Sequence, residues 1–269
     1  MSRGIPTLIG LPYDGASSFR RGAAAAPRPI REALHSPASN SWSETGVDLG
    51  LPTSLADAGD VDLANTVDVR AAIDAGIRHV LRDGGRPIVL GGDHSVTYPV
   101  LRALRQEHRS LTVLHFDAHA DLYEEFEGNR YSHACPFARV MEERLADRLV
   151  QVGIRTMNRH QRAQADRYGV EVIDMRAWTS GTRPMVEGPV YISVDLDVFD
   201  PAFAPGVSHR EPGGLSVRDV LTVLQSLSGP IVGADVVELN PSQDPVGVTA
   251  PVAAKLVKEL VARMVETSR

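Results

Sequence analysis

The sequence predicts an α/β fold: a three-layer, doubly wound and mainly parallel sheet with helices on both faces. Short apolar runs of strand length alternate with amphipathic stretches of helical spacing along the 269-residue chain, an order typical of parallel sheets. Apolar residues make up 43% of the chain, which is enough for a sizeable core. Because no linker or repeat interrupts the pattern, we expect one domain over residues 1–269. Two small domains would also fit this length.

The predicted elements follow from apolar periodicity and from residues that start helices. Pro27 and Pro29 favour the start of a short helix, and Ser216 followed by Asp219 resembles a capping box. Residues 118–135 have no clear period, and a loop of that length is usually functional or disordered. The predicted strands are residues 6–11, 87–90, 111–116, 149–154, 170–173, 190–194 and 231–237. The predicted helices are residues 27–34, 63–82, 96–106, 159–168, 217–227 and 252–265.

Composition excludes several classes of function. The net charge is −6 and no block of Lys or Arg stands out, which argues against a nucleic-acid or anionic-membrane partner. Cys135 is the only cysteine, so an internal disulfide and a thiolate metal cluster are excluded. The N-terminus lacks the apolar run of a signal peptide, and no stretch is long enough to cross a bilayer. We therefore expect a cytoplasmic protein with no membrane partner.

Acidic and imidazole side chains collect at three predicted strand ends. The motifs are residues 91–95 (GGDHS), 115–121 (HFDAHAD) and 193–197 (SVDLD). In an extended chain, residues two apart point to the same face. The acidic side chains of the second motif can therefore converge on one face, and so can those of the third. The carboxyl ends of parallel strands form the ligand crevice of doubly wound folds. The three motifs are therefore expected to meet at one edge of the sheet.

A cluster of this composition predicts a metal site. Several carboxylates on one patch repel each other, and two divalent cations would remove that conflict. Two nitrogen and four oxygen ligands suit Mn²⁺ better than structural zinc, and a water between two metals can ionise to hydroxide near neutral pH. A single Asp or His at a strand end usually caps a helix or faces solvent, so the combination carries the prediction. The six predicted ligands are His94, Asp117, His119, Asp121, Asp195 and Asp197.

Two neighbouring residues leave alternatives open. His115 has the same strand parity as the second motif and is a rival ligand, although we favour a role in supporting the ligands or packing the core. Asp93 is expected either to orient His94 or to brace the turn after the strand. No combination of a base with oxyanion donors argues for Cys135 as a nucleophile, so we assign it to packing.

The three motifs together resemble the ureohydrolase family of arginases, agmatinases and related guanidino hydrolases. The resemblance extends from residues 11–14 (LPYD) through residues 27–31 (PRPIR) to the last helix. Two segments of the chain look most like plant arginases: residues 126–133 (FEGNRYSH) and residues 204–216 (APGVSHREPGGLS). It implies an arginase-like fold, two Mn²⁺ per chain held by the six residues above, and a homo-oligomer, trimer or hexamer.

The resemblance also implies three catalytic residues. His133 falls where the family keeps a mobile-loop histidine that handles protons, and Glu238 where it keeps a carboxylate facing the guanidinium. A metal-bridging hydroxide would attack the guanidinium carbon, and Asp121 with the metals would accommodate the new charge. His133 would protonate the leaving amine. Asp235 matches an accompanying acidic position, and Ala134 departs from the glycine of many members, which stiffens the loop.

The substrate is predicted to be a small guanidino compound. We favour L-arginine hydrolysed to L-ornithine and urea, with agmatine next and 4-guanidinobutyrate third. Glu238, Asn129, Tyr131 and Asn158 are the predicted substrate-binding residues. A dimetal phosphoesterase is disfavoured because Glu238 would repel phosphate, and a zinc deacetylase would use fewer ligands. A non-catalytic metal-binding regulator is disfavoured by His133 together with Glu238.

Overall fold

The sheet is parallel throughout and is built around four central strands. The computed structural model describes residues 4–267. The strands are β1 (Ile5–Gly10), β2 (Ala56–Asp60), β3 (Gly85–Leu90), β4 (Thr112–Phe116), β5 (Arg148–Val152), β6 (Glu171–Ile173), β7 (Val190–Asp195) and β8 (Ile231–Val237). In the described part of the chain they form one sheet in the order β2-β1-β3-β8-β7-β4-β5-β6.

Helices cover both faces of this sheet. They are α1 (Pro27–Leu34), α2 (Val69–Arg82), α3 (Thr97–Leu104), α4 (Pro136–Glu142), α5 (Arg159–Tyr168), α6 (Met175–Thr179), α7 (Val217–Ser226) and α8 (Thr249–Glu266). Helices α1, α7 and α8 pack together on one face, and α2, α3, α4 and α5 form the layer on the other. The predicted three-layer fold class is therefore confirmed. Over residues 4–267, no helix combines the length and the apolar character needed to span a bilayer.

Each central strand buries side chains on both of its faces. Ile88, Ala234 and Ile192 pair in register across β3, β8 and β7 and pack in the core beneath α1, α7 and α8. Their neighbours one residue away point into the opposite core, as Val89 does. Burial on both faces explains why these strands read as nearly continuous apolar runs in the sequence.

The structure departs from the sequence prediction at edges and short elements. Strand β2 was not predicted because its sequence, ADAGD, has no apolar alternation and lies exposed at the sheet edge. Helix α2 begins at Val69 rather than at residue 63, since the side chain of Asp68 accepts a hydrogen bond from the Ala71 amide and caps it there. The short helices α4 and α6 offer too few turns for a periodic signal.

The long loop predicted over residues 118–135 is confirmed, because no helix or strand is assigned within it. It leaves β4 at the carboxyl edge of the sheet and ends where Pro136 starts α4. It therefore lies across the edge where the three sequence motifs meet.

At Gly92, the end of β3 packs closely against the loop after β1 and against the end of β8. The Asp93 amide donates to the Tyr13 carbonyl at 2.8 Å, and the Glu238 amide donates to the Gly92 carbonyl at 2.9 Å. A Cβ atom at position 92 would lie 1.7 Å from the Tyr13 carbonyl oxygen. Glycine is therefore required for the loop after β1 to contact the ends of β3 and β8.

We expect Gly92→Ala to destabilise the metal-free protein by about 1–3 kcal/mol, because the backbone must move to admit the methyl group. Urea unfolding followed by circular dichroism measures this loss. Gly50→Ala is the matched control. Its new Cβ would lie 3.1 Å from the nearest atom, an oxygen of the half-buried Asp48 side chain, and this variant should stay within about 1 kcal/mol of wild type. Equal stability of Gly92→Ala and wild type would contradict the close approach.

Candidate metal centre and substrate cavity

The four central strands deliver the functional side chains to one edge of the sheet. Residues 91–95 follow β3, residues 117–121 follow β4, Asp195 ends β7 and Glu238 follows β8. In the sheet these strands are consecutive neighbours, in the order β3, β8, β7, β4. The motifs are far apart in the sequence but meet because all four strands run parallel and end at the same edge.

His94 lies at the centre of the first ligand group. Its Nδ1 atom is 3.1 Å from Asp117 Oδ2 and 3.2 Å from both Asp121 Oδ2 and Asp195 Oδ2. Nδ1 is buried and has no hydrogen-bond partner among the described residues. One imidazole nitrogen surrounded by three carboxylate oxygens fits a divalent cation that prefers oxygen and nitrogen ligands.

His119 forms a second group that shares one carboxylate with the first. Its Nδ1 atom is 2.9 Å from Asp197 Oδ2 and 3.4 Å from Asp117 Oδ1. His119, Asp117 and Asp197 place their ligand atoms within 4.8 Å of one another, close enough to hold a metal ion. Because Asp117 offers one oxygen to each group, the arrangement suits a pair of cations rather than one.

Backbone amides hold one oxygen in each of three carboxylates. Asp117 Oδ1 accepts from the His119 amide at 2.6 Å, and Asp195 Oδ1 accepts from the Asp197 amide at 2.8 Å. Asp197 Oδ1 accepts from the Ala118 amide at 3.1 Å. These bonds hold each carboxylate by one oxygen and leave the other directed at the histidine nitrogens.

The electrostatics of the cluster call for positive charge. Burial, together with the charges of Asp197 and Asp117, raises the pKa of Asp195 well above its usual range. Burial also raises the pKa of Asp197 to about 6, against the opposing charge of His119. Carboxyl groups in this position give up their charge unless a cation compensates it. The residues present therefore fit a metal centre chemically as well as geometrically.

His115 supports Asp117. Its Nε2 atom lies 2.8 Å from Asp117 Oδ2, and its Nδ1 lies 3.0 Å from Gln151 Nε2. Because Gln151 Nε2 donates to Nδ1, the ring proton sits on Nε2 and is donated to Asp117. His115 also falls within a compact His94–His115–Asp117 group, but both of its nitrogens are already hydrogen-bonded, which favours the supporting role over that of a ligand.

Asp93 braces the turn rather than the ligand. Its carboxylate accepts from the Ser95 amide at 3.1 Å and from the Ala16 amide at 2.9 Å. The second bond connects the end of β3 to the loop that follows β1. Burial, followed by the charge of Glu238, raises the pKa of Asp93 to about 6.

His133 and Glu238 face each other beside the ligand groups. His133 Nδ1 lies 3.2 Å from Glu238 Oε1, and its Nε2 lies 2.9 Å from Ser18 Oγ. Glu238 Oε1 also accepts from the His94 amide at 2.9 Å. Burial opposes the charge on His133, but the hydrogen bond to Glu238 and the nearby carboxylates outweigh it and raise its pKa to about 9.

Two of the predicted catalytic residues have strained backbones. Asp121 has φ of 50° and Glu238 has φ of 64°, in the left-handed region that costs a non-glycine residue about 1–3 kcal/mol. Strain of this kind persists where surrounding contacts over-determine it, as the Gly92 carbonyl does for the Glu238 amide. It turns both carboxylates toward the cavity.

A cavity of about 170 Å³ opens over the ligand groups and has no Arg or Lys among its lining residues. Asp121, Asp195 and Asp197 form part of its floor, and His133 and Glu238 form one wall. The other lining residues are Ser18, His119, Tyr123, Phe126, Ala134, Thr156, Gln161 and His209. Of these, Ser18, Thr156 and Gln161 were not predicted, because they lie in loops or at a helix start with no motif around them. Phe126 begins the segment 126–133 that resembles plant arginases, but no role was predicted for its side chain.

Three predicted substrate-binding residues do not line the cavity. Asn158 caps α5, with its side chain accepting from the Gln161 amide and donating to the Tyr123 hydroxyl. The Arg70 guanidinium lies over the Tyr131 ring, with its central carbon 4.1 Å from the ring centre. The Asn129 side chain accepts a hydrogen bond from the Tyr131 amide. The loop folds back on itself at this point, so Glu238 alone among the four reaches the cavity.

Cys135 behaves as a packing residue. It is fully buried at the start of α4. Burial and the nearby charge of Asp121 raise the pKa of its thiol to about 12, so the thiol stays protonated and unreactive.

Comparison with known proteins agrees with this geometry. The model described as "Arginase family" matches residues 6–262. Mitochondrial arginase 1 of Arabidopsis thaliana is 49% identical, covering 96% of this chain and 80% of its own. The solved arginase of Medicago truncatula superposes with a TM-score of 0.93 at 46% identity, covering 97% of this chain and 88% of its own. Proclavaminate amidinohydrolase of Streptomyces clavuligerus is 38% identical, over 94% of this chain and 86% of its own.

The expectation of a cytoplasmic protein is wrong by these comparisons. The similar plant arginases are named as mitochondrial or chloroplastic proteins, which points to an organelle. Low cysteine content and modest net charge fit any reducing compartment. An organellar address is read by receptors from a targeting segment, and the composition of the folded chain does not carry it.

The family match extends over most of the chain, and the fold and the ligand groups at the sheet edge accord with it. The protein belongs to the arginase family.

Proposed function

We propose that this member of a guanidino-hydrolase family is an arginase that converts L-arginine and water to L-ornithine and urea, using two Mn²⁺ per chain. One observation carries the proposal: the cavity over the ligand groups is walled by the buried carboxylate of Glu238 and has no Arg or Lys among its lining residues. Such a cavity favours a cationic substrate, and the guanidinium is always charged at neutral pH.

Six residues would hold the metals. The first ion would bind to His94, Asp117, Asp121 and Asp195, and the second to His119 and Asp197 with carboxylates shared from the first group. The oxygen-rich set suits Mn²⁺. When bound, the metals supply a water activated for attack at neutral pH.

Glu238 is placed to orient the substrate. Its Oε1 atom is held by the His94 amide, so the carboxylate stays beside the ligand groups. A guanidinium donates to a carboxylate through a planar pair of N–H groups, and it would replace His133 as the partner of Glu238. The guanidinium carbon would then face the floor formed by Asp121, Asp195 and Asp197.

His133 is placed to supply a proton. Addition of oxygen to the guanidinium carbon gives a tetrahedral carbon, and its collapse to urea breaks the bond to the substrate's side-chain nitrogen, which must gain a proton to leave as an amine. His133 lies on the cavity wall, with its Nε2 hydrogen-bonded to Ser18. While His133 is hydrogen-bonded to Glu238 its pKa is raised to about 9, so it holds a proton before substrate binds and could deliver that proton as the general acid once the guanidinium takes its place beside Glu238.

Arginine and agmatine differ only in the α-carboxylate. Among the described residues, no Arg or Lys lines the cavity, so the α-carboxylate would bind to neutral donors, among which Ser18, Thr156 and Gln161 face the cavity. Similarity to plant arginases over most of the chain supports arginine, with agmatine and 4-guanidinobutyrate as the alternatives. We further propose one domain over residues 1–269 and a trimeric or hexameric assembly.

The first test is urea release by Mn²⁺-loaded protein with arginine, agmatine and 4-guanidinobutyrate side by side. We expect arginine to be turned over fastest, and dialysis against a chelator to abolish urea release. Preference for agmatine would keep the guanidino-hydrolase mechanism but replace the substrate. No urea from any of the three would contradict the proposed function.

We expect Asp195→Asn and Asp121→Asn each to lose bound metal and nearly all activity, because each removes a charged oxygen beside His94. Metal content after gel filtration and the rate of urea release measure both effects. Asp166→Asn, an exposed change on α5, is the control and should match wild type. Normal metal content and full activity in both test variants would remove these residues from the site.

We expect His133→Asn to keep both metals and to lower turnover by about 10²- to 10⁴-fold, since it removes a proton donor without touching a ligand. Metal content and kcat for arginine are the measurements. If His133→Asn lost metal, or turned over at the wild-type rate, the proton-transfer role would be wrong.

A further inference from the structure

A row of buried polar residues crosses the sheet beneath the metal ligands. Gln151 on β5 pairs in register with His115 on β4, His115 with Ser193 on β7, and Ser193 with Asp235 on β8. All four side chains are fully buried. They project from the same side of the sheet, because residues paired in register share a face. On one side, their same-face neighbours Val113, Leu149 and Tyr191 belong to the apolar core. On the other side lie the candidate ligands Asp117 and Asp195, so the polar row separates that core from the ligand group and each of its buried polar groups needs a partner.

Contacts from this row lead directly to His94. Its Nε2 atom lies 2.9 Å from Ser193 Oγ, and Ser193 Oγ donates to Asp235 Oδ1 at 2.7 Å. His94 therefore touches the carboxylates of the ligand group with one ring nitrogen and Ser193 with the other.

The hydrogen bonds of Asp235 determine which atom donates in each step from His94 through Ser193 to Asp235. Its second oxygen, Oδ2, accepts hydrogen bonds from the hydroxyls of Thr97 at 2.8 Å and Tyr191 at 2.7 Å. Asp235 accepts hydrogen bonds with both oxygens, so the one hydroxyl proton of Ser193 is donated to Oδ1. Ser193 must then accept from His94, so the ring proton of His94 lies on Nε2.

We propose that Asp235, acting through Ser193, is a positioning residue that fixes the tautomer of His94, so that Nδ1 presents a lone pair to the metal. This inference rests on the proposed metal centre. It accounts for the buried carboxylate of Asp235, which has no cationic partner among the described residues and bonds only to hydroxyl groups. Partners that fix a metal-ligating histidine affect metal affinity by about 10- to 100-fold.

The two oxygens of Asp235 provide a matched experiment. Ser193→Ala removes the hydroxyl that connects Oδ1 to His94, and Asp235→Asn removes the charge. Tyr191→Phe and Thr97→Val each remove one hydroxyl from Oδ2 and leave the connection to His94 in place. Titration of metal-free protein with Mn²⁺ by calorimetry gives the dissociation constants, and urea unfolding of the same metal-free samples gives their stabilities.

We expect Ser193→Ala and Asp235→Asn to weaken Mn²⁺ binding by about 10- to 100-fold. We expect the Tyr191→Phe and Thr97→Val proteins to bind Mn²⁺ as tightly as wild type, even where the metal-free protein is less stable. Ser193→Thr, which keeps the hydroxyl, should bind as wild type and serves if the alanine variant does not fold. An unchanged dissociation constant in Ser193→Ala, or equal weakening in all four variants, would overturn the positioning role while leaving the proposed function intact. Failure of wild-type protein to bind Mn²⁺ would contradict both.

Discussion

The crowding of buried carboxylates at the carboxyl edge of the sheet is the constraint on which the rest of the site depends. Asp117, Asp121 and Asp195 all approach one nitrogen of His94 within 3.2 Å. Like charges at this spacing are stable only beside a cation or after protonation, and burial raises the pKa of Asp195 accordingly. A metal centre would satisfy these groups together, and backbone amides hold the carboxylates in positions that suit one.

Among the described residues, the ligand carboxylates are held by backbone amides and by histidines, and none of them forms a salt bridge with Arg or Lys. Amides fix one oxygen of Asp117, Asp195 and Asp197. The guanidinium of Arg155 donates to the carbonyls of both Asp197 and Glu211, so the ligand segment after β7 is connected to the loop that carries His209. Carbonyl partners leave the carboxylate charges free for a cation.

The cavity over the ligand groups likewise has no Arg or Lys among its described lining residues. His133 neutralises Glu238 in the absence of substrate. In the proposed mechanism a guanidinium would exchange with His133 for the same carboxylate and would leave the imidazole free to protonate the departing nitrogen. Substrate binding and proton supply would then both depend on the pairing of His133 with Glu238.

The sequence by itself determined the α/β fold class and the six candidate ligands, because strand periodicity and strand-end position are local properties that motif spacing expresses. It did not reveal edge strand β2 or helix α4, whose local signals are weak. Only the tertiary structure decided two further features. One is that Asn129, Tyr131 and Asn158 lie outside the cavity, and the other is that Ser193 pairs with Asp235. Loop reversals and the register between strands about forty residues apart depend on packing across the sheet, and no local pattern encodes them.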